Sequence, residues 1–283
     1  MRRSEGNLSY CAAQVRAHDP DRYLATLFAP ADAREALYVL YAFDHDVGRV
    51  RRIVSEPLAG LVRLQWWRDA LEGLAAGKPL AHPVVAALHA RWARFAPLRP
   101  RLDAAIDASE QELSAGPPAD LVALEDRLGS SWGEITLGAL DLLGAAEEPA
   151  RAAGRHLGLA LGLVRLLQAL PGHLRQNRMP LPDAMLVQYG IAGESLQGGG
   201  AAAALRPVVA DLAARAREHL EASRRHRDAV PRRALAALLP APLLESYLRR
   251  LARAGFNPFA PARTASGGLA PLRLLGRYIL GRY

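Results

Sequence analysis

The stretch from residue 31 to residue 52 constrains the fold most, because its apolar residues repeat at helical spacing over about six turns. Apolar side chains recur every three or four positions along one face: Ala33, Leu37, Leu40, Tyr41, Val47 and Val50. Pro30 suits the entry to such a helix. The same face, continued, places Asp44, Gly48 and Arg52 one turn apart. The pattern predicts one long helix with polar side chains in line with its buried face.

The rest of the chain contains no run of alternating apolar and polar residues of the kind that predicts strands. With 51% hydrophobic and 23% charged residues, the 283-residue chain has the composition of a soluble globular protein. We therefore predict an all-α fold made of a single helical domain over residues 1–283, with a basic tail from about 255 to 283. Residues 198–200, three glycines, are predicted to form a linker.

The formal net charge of +8 favours anionic partners, which are phospholipid, diphosphate or nucleic acid. Nucleic acid is disfavoured because no aromatic-interleaved basic strand and no helix-turn-helix pattern occurs. Cys11 is the only cysteine, so the chain has no internal disulfide and no cysteine-based metal cluster. The N-terminus lacks an apolar core of signal-peptide length, and the apolar run Leu157 to Val164 is far shorter than a membrane span. We expect a cytoplasmic protein.

The segment from Arg34 to Phe43 resembles the first signature of the squalene and phytoene synthases, which join two prenyl diphosphates head to head. In that family an Asp-Asp-x-x-Asp cluster follows. Here Gly48, Arg49 and Arg52 stand in the three aspartate positions, and His45 stands where the family usually has an arginine that touches diphosphate.

This exchange of charge argues against a metal site. Mg²⁺ takes oxygen ligands, and an arginine about 6 Å away would repel it by roughly 5 kcal/mol at an effective dielectric constant near 20. Asp44 and Asp46 are not a substitute, because two residues apart on a helix they point about 200° from each other. We expect no cofactor, and Mg²⁺ only if the chain is an active synthase.

Residues 154–182 resemble the family's other signature, in which a helix ending in Asp-x-x-x-Asp leads into a basic turn and Leu-Pro. Four residues fit that turn: Arg175, Arg178, Leu181 and Pro182. Ala169 and His173 replace the two aspartates, while Gly162 and Arg165 replace a glutamine and an asparagine. Pro171 is expected to end the helix before His173. His173 is a general-base candidate, but no carboxylate at nearby spacing orients it, so no catalytic residue is assigned.

Two further segments depart from the family. Asp21 and Arg22 occupy a Ser-Phe pair that helps bind substrate, and Glu125 and Arg127 replace tyrosines. Asp120 is predicted to cap the helix that contains them. The glycine-rich residues 129–133 on that helix are expected to let another helix approach closely.

Elsewhere, Trp67 and its neighbour Trp66 are predicted to be core residues rather than a ligand box. His82 and His89 are predicted to share one helix face, and with no acidic partner nearby in the sequence they are not expected to be ligands.

The resemblance implies the isoprenoid-synthase helical bundle around a central apolar cavity. In active members, Mg²⁺ held by both aspartate clusters ionises a diphosphate. A branch of the superfamily lacks the aspartates and acts in assembly of respiratory complex I, and the stretch from Asp44 to Trp67 resembles that branch. The favoured function is therefore non-catalytic assembly work at a membrane, with respiratory-complex subunits as partners. The alternatives are an active squalene or phytoene synthase and a prenyl-lipid binding protein.

If the cavity holds a prenyl diphosphate without metal, the candidate anion-binding residues are Arg34, Tyr41, Arg49, Arg52, Arg175 and Arg178. The second candidate surface is the tail, because residues 246–283 contain seven arginines and no acidic residue. There Leu272, Leu275 and Ile279 form an apolar stripe beside Arg273 and Arg277. This helix either lies on anionic lipid at the inner face of the cytoplasmic membrane or closes the bundle.

Overall fold

The computed structural model describes residues 8–54, 56–114, 116–191, 201–260 and 270–283, and these contain helices and no strands. The predicted all-α fold is confirmed. The glycines at 198–200, the first seven residues and most of the stretch between the last two helices lie outside the described residues. The α-helices are α1 Tyr10–His18, α2 Pro20–Thr26, α3 Ala31–Gly48, α4 Val50–Ile53, α5 Pro57–Ala75, α6 Pro83–His89, α7 Trp92–Phe95, α8 Arg99–Ser114, α9 Leu121–Leu128, α10 Glu134–Leu142, α11 Glu148–Arg175, α12 Asp183–Gln188, α13 Ala201–Arg225, α14 Leu235–Leu238, α15 Ala241–Arg253 and α16 Ala270–Ile279.

The helices pack around α3, α10 and α11. Helix α3 buries Leu37, Val39 and Phe43 completely and contacts α1, α2, α6, α8 and α10. Helix α10 connects α3 and α8 to α11, and α11 packs in turn against α13 and α15. Residues at the start of the short helix α2 contact both helices that carry the family-like signatures, α3 and α11.

Side-chain caps set several helix starts. The Asp120 carboxylate accepts a hydrogen bond from the backbone N–H of Ala123 at 2.8 Å, which confirms the predicted cap of α9. A π-helical segment, Gly129–Gly133, joins α9 to α10. A Cβ on Gly158 of α11 would lie 2.5 Å from the Cα of Gly133, so the two helices approach as closely as the glycine-rich segment predicted.

Two helix boundaries differ from the sequence predictions. The helix predicted to reach Arg52 ends at Gly48, whose low helix propensity favours a break, and Arg52 lies on the separate helix α4. Helix α11 runs through Pro171 to Arg175. Proline at this position removes one backbone hydrogen bond, and the fully buried Leu167 and Leu170 hold the helix in place on its core side.

Within the described residues, α11 is the one helix long and apolar enough to cross a membrane by length and composition. Half of its most apolar window is buried in the bundle. That burial is typical of the core helix of a folded domain. The predicted domain limits, 1–283, stay a prediction.

Candidate functional site

The start of α2 lies between the two signatures and pairs with the first of them. Asp19 caps α2 by accepting a hydrogen bond from the backbone N–H of Arg22 at 3.1 Å. The Arg22 side chain, 3% exposed, donates from Nη1 to Oδ2 of Asp44 at 2.6 Å. Asp44 is thus occupied by a guanidinium that comes from another helix.

Aromatic rings enclose the Arg22 guanidinium. Its Cζ lies 4.8 Å from the ring centre of Tyr41 and 4.6 Å from that of Trp132. Burial alone would lower the pKa of Arg22, but Asp44 and Asp19 raise the pKa above its usual value. Arg22 is therefore a permanent positive charge between the signatures.

The second signature is tied to the same place by Arg165 of α11. Its Nη2 atom donates to Oδ1 of Asp19 at 2.6 Å and lies 3.4 Å from Oδ2 of the buried Asp21. The ion pairs form one chain of contacts through Asp44, Arg22, Asp19, Arg165 and Asp21, which we call the interior network. It joins α3, α2 and α11 through two arginines and three aspartates.

A second group of charges lies where the two signatures end. Burial first, and then Arg178, Arg52 and Arg51, lower the pKa of His173 to about 4. Arg178 itself has a lowered pKa, because of burial and then Arg51. We call Arg51, Arg52, Arg178 and His173 the arginine cluster. At neutral pH it combines three guanidinium groups with an uncharged imidazole.

One carboxylate accompanies this cluster. Arg51 Nε donates to the backbone carbonyl of Glu112, on α8, at 3.1 Å. Burial raises the pKa of the Glu112 carboxyl, and Arg178 and Arg127 oppose that rise. Glu112 is nevertheless a solvent-exposed residue.

His45 stacks on His18, with ring centres 4.1 Å apart and planes 8° apart. Burial lowers the pKa of His45 to about 4, with further contributions from His18, Arg52 and Arg49. Arg52 thus lowers the pKa of both His45 and His173, so its charge acts on both signatures. Since His45 is uncharged at neutral pH, it does not replace the charge of an arginine.

Asp46 points away from Asp44, as predicted. Its Oδ1 lies 3.2 Å from Nε of Arg49, and its Oδ2 lies 3.9 Å from Nε2 of His82. His82 has no acidic partner nearby in the sequence, as predicted, but the fold brings Asp46 of the distant helix α3 close to it. His82 also caps α6 instead of sharing a helical face with His89.

Mg²⁺, which the family implies, does not fit these residues. The Asp44 carboxylate is bonded to Arg22, and Asp46 faces a different side of α3. In the part of the chain that the structure describes, no group of three or more His, Cys, Asp or Glu side chains is placed to hold a metal ion. The arginines of the interior network neutralise its own carboxylates, and the arginine cluster can attract an anion. Neither group offers Mg²⁺ a free pair of carboxylates.

Comparisons with known proteins agree with this fold. A profile of the squalene/phytoene synthase family matches residues 15–272. The chain belongs to this family. Two solved members share its fold: a squalene synthase from Alicyclobacillus acidocaldarius (TM-score 0.75, 22% identical, 88% of this chain and 94% of that chain) and a dehydrosqualene synthase (TM-score 0.78, 18% identical, 96% and 94%). The isoprenoid-synthase helical fold is thereby confirmed.

Curated relatives within this family fall into two functional classes. Complex I assembly factor 6 of mouse is 30% identical over 269 residues, which are 95% of this chain and 81% of the relative. The human protein of the same name is 29% identical over 269 residues with the same coverage. Presqualene diphosphate synthase of Sinorhizobium fredii is 28% identical over 268 residues, 91% of this chain and 92% of the relative. The chain is thus similar both to assembly factors and to a synthase.

The six candidate anion-binding residues do not all lie together in the structure. Arg52 and Arg178 come together in the arginine cluster, where Arg51 joins them, while Arg175 forms no ion pair among the described residues. Arg49 pairs with Asp46. Two candidates lie elsewhere: Tyr41 is covered by Arg22, and Arg34, with Nε bonded to the carbonyl of Ala29 at 2.9 Å, lines a cleft beside α16.

The other degenerate positions carry no metal-ligating group. A Cβ on Gly162 would lie 2.8 Å from Leu128, so this glycine serves helix packing. Ala169 is exposed, and a Cβ on Gly48 would meet nothing within 4 Å.

Glu125, at a family tyrosine position, has a structural partner. Its two oxygens accept hydrogen bonds from Nε and Nη2 of Arg215 at 2.5 and 3.0 Å, and His219 Nε2 lies 3.0 Å from Oε1. Although burial alone would raise the pKa of Glu125, Arg215 and His219 lower it below its usual value. This carboxylate therefore joins α9 to α13.

Sequence reasoning missed several of these residues. It noted Arg22 only as a departure from the family, and it assigned no role to Asp19, Arg51 or His18. The sole local signal was the order Asp19-Pro20, an N-cap followed by a first-turn proline, which indicates where α2 begins.

Proposed function

We propose that this chain is a non-catalytic member of the squalene/phytoene synthase family that acts in assembly of respiratory complex I. The observation that carries the proposal is the interior network, in which Arg22 and Arg165 engage the carboxylates between the two signatures. The similarity to assembly factor 6 of several animals supports the same function.

The interior network makes binding of a catalytic Mg²⁺ ion at this site unfavourable. A Mg²⁺ ion at Asp44 would have to displace Arg22, whose side chain is only 3% exposed. Removing one partner of a buried ion pair costs on the order of 3–5 kcal/mol, which a site with a single free carboxylate does not recover. No cofactor is therefore part of the proposal.

The alternative is an active synthase, and the relation to presqualene diphosphate synthase is the observation in its favour. We give it second place because Gly48, Arg49, Ala169 and His173 leave both metal-binding positions without a carboxylate. The third candidate, a prenyl-lipid or prenyl-diphosphate binding protein, is compatible with assembly work. In that case the arginine cluster would hold the anionic group without metal.

For location, we propose a cytoplasmic protein that associates with the inner face of the cytoplasmic membrane, next to the complex I subunits on which it would act. The basic tail supports this placement through its single sign of charge.

Deletion of the gene in its own host tests the proposed function. We expect membranes of the deletion strain to lose NADH:quinone oxidoreductase activity, while squalene and carotenoid-type products stay unchanged. The wild-type gene should restore the activity, and a variant with Asp44→Asn and Arg22→Met should restore it in proportion to the folded protein present. Loss of isoprenoid products with intact complex I would overturn the proposal.

A further inference from the structure

The outer face of α16 is apolar and uncovered within the described residues. Ala270 and Leu274 are buried against the bundle, whereas four neighbours on the other side are 43–67% exposed: Leu272, Leu275, Ile279 and Leu280. The sequence left open whether this stripe closes the bundle. The structure shows that a different residue, Leu274, performs that role.

The chain beyond α16 is held firmly. The hydroxyl of the buried Tyr283 donates to the carbonyl of Ser223 at 2.9 Å, and Nε of Arg224 donates to the carbonyl of Tyr283 at 2.9 Å. Phe28, after α2, packs on Tyr278 with ring centres 5.3 Å apart. The exposed stripe is therefore presented by a fixed helix.

A cleft of about 540 Å³ adjoins this stripe, and we call it the C-terminal cleft. Its apolar side includes Leu275 and the exposed Leu27. Its polar side carries three exposed arginines, Arg34, Arg232 and Arg233, and no carboxylate is among the described residues that line it.

The three guanidinium groups are not neutralised by an ion pair with any described carboxylate. Arg34 donates to the carbonyl of Ala29, Arg233 donates to the carbonyl of Gly144 at 2.7 Å, and Arg232 lies 5.4 Å above the ring of Tyr278. Each arginine is thus positioned by the backbone or a ring while its charge remains available.

The charge and the shape of α16 and the C-terminal cleft together indicate which partner binds there. A row of aliphatic side chains flanked by arginines is the pattern of a helix that lies in a lipid interface. Phosphate groups match a cleft that contains guanidinium groups without carboxylates. We propose that α16 and the C-terminal cleft form the docking face for an anionic phospholipid bilayer, with Arg34, Arg232 and Arg233 on lipid phosphates and Leu272, Leu275 and Ile279 in the acyl region. This inference deepens the membrane location proposed above and rests on it.

The test is co-sedimentation of the full chain with vesicles of phosphatidylcholine containing phosphatidylglycerol, compared with vesicles of phosphatidylcholine alone. We expect binding to the anionic vesicles that weakens as salt rises. The triple variant Arg34→Gln, Arg232→Gln, Arg233→Gln should bind about 100-fold more weakly, which corresponds to about 1 kcal/mol per arginine. The variant Leu272→Ser, Ile279→Ser should bind at least tenfold more weakly at every salt concentration.

Matched controls use exposed residues on other helices. Arg63→Gln with Arg206→Gln removes charge from α5 and α13, and Val122→Ser with Val187→Ser removes exposed apolar surface from α9 and α12. These controls should bind like the wild type, and thermal unfolding should show that all variants are folded.

The outcomes are distinct. Failure of the wild type to bind anionic vesicles would overturn the membrane location itself. Binding by the wild type and by both docking-face variants alike would overturn this face alone. If light scattering shows a dimer that Leu272→Ser, Ile279→Ser converts to monomer while vesicle binding is unchanged, the face is an interface between two copies, and the lipid assignment is wrong.

Discussion

Arg22 donates to Asp44 at 2.6 Å across the gap between α2 and α3, and it does so from a position that is 3% exposed. Arg22 stands in the Ser-Phe pair that helps bind substrate in the family, and Asp44 lies one helical turn before Gly48, which stands in the first aspartate position. The pairing shows that the arginine at position 22 neutralises the carboxylate of Asp44. On α11, Arg165 repeats the arrangement with Asp19.

The first prediction concerns the stability of that pair. Asp44→Asn should lower the free energy of unfolding by about 3–5 kcal/mol, because it leaves the buried Arg22 without its main partner. Arg22→Met should also destabilise, and the double variant should recover at least 1 kcal/mol relative to the sum of the two losses. Urea denaturation measures all three.

Arg68 provides the control for this measurement, since its two partners, Asp107 and Glu110, have side chains that are 58% and 38% exposed. Arg68→Met should cost no more than about 1 kcal/mol. Additive losses at Arg22 and Asp44 would contradict an interior network.

The helical pattern predicted α3 well, because burial of one face imposes a 3.6-residue period that sequence retains. The end of α3 was predicted less well. Gly48 has no Cβ, and whether the helix breaks at such a residue depends on how the following helix, α4, is placed. The Arg165–Asp19 pair is beyond such reasoning. Its members are 146 residues apart, and no local spacing indicates which distant helix supplies a partner.

The family resemblance predicted the helical fold that carries the two signatures, but not the ion pairs that join them. Arg52 was expected to continue the face of Asp44, whereas it belongs to α4, and its charge lowers the pKa of both His45 and His173. Pro171 was expected to end α11, and burial of the neighbouring leucines kept the helix intact. Tertiary packing determined both the position of Arg52 and the continuation of α11 past Pro171.

The second prediction concerns pH. Burial holds the pKa of His45 near 4 in the folded chain, below the usual value near 6.5, so the unfolded chain binds a proton first as pH falls. Stability should therefore decrease from pH 6.5 to pH 4. His45→Gln should make this decrease smaller by about 2 kcal/mol, after allowance for partial exposure.

Urea denaturation at pH 6.5, 5.5 and 4.5 measures the effect. His89 is exposed, and His89→Gln should leave the slope of the wild type unchanged. An unchanged slope in His45→Gln would show that His45 is not held neutral by burial.

The third prediction is that the arginine cluster binds pyrophosphate without metal. Calorimetry should show the same affinity with Mg²⁺ and with chelator, and Arg52→Gln or Arg178→Gln should weaken binding about tenfold, the loss of one charge-assisted contact. Bound anion should also raise the pKa of His173 from about 4, which nuclear magnetic resonance can follow. Arg63→Gln is the charge control. A strict requirement for Mg²⁺ would count against this cluster.

The fourth prediction compares two helical glycines. Gly158→Ala should lower the free energy of unfolding by about 1–3 kcal/mol, because its Cβ would meet the backbone of Gly133 at 2.5 Å. Gly48→Ala meets open space and should raise stability by up to about 1 kcal/mol through helix propensity. Equal effects of the two substitutions would show that α11 and the π-helical segment are not in close contact.

The central claim is that the interior network has replaced metal-dependent catalysis. Its most direct test is pyrophosphate release by the purified chain supplied with farnesyl or geranylgeranyl diphosphate and Mg²⁺, with a presqualene diphosphate synthase as the positive control. We predict no release above background over many hours. Sustained turnover that chelator abolishes would contradict the account.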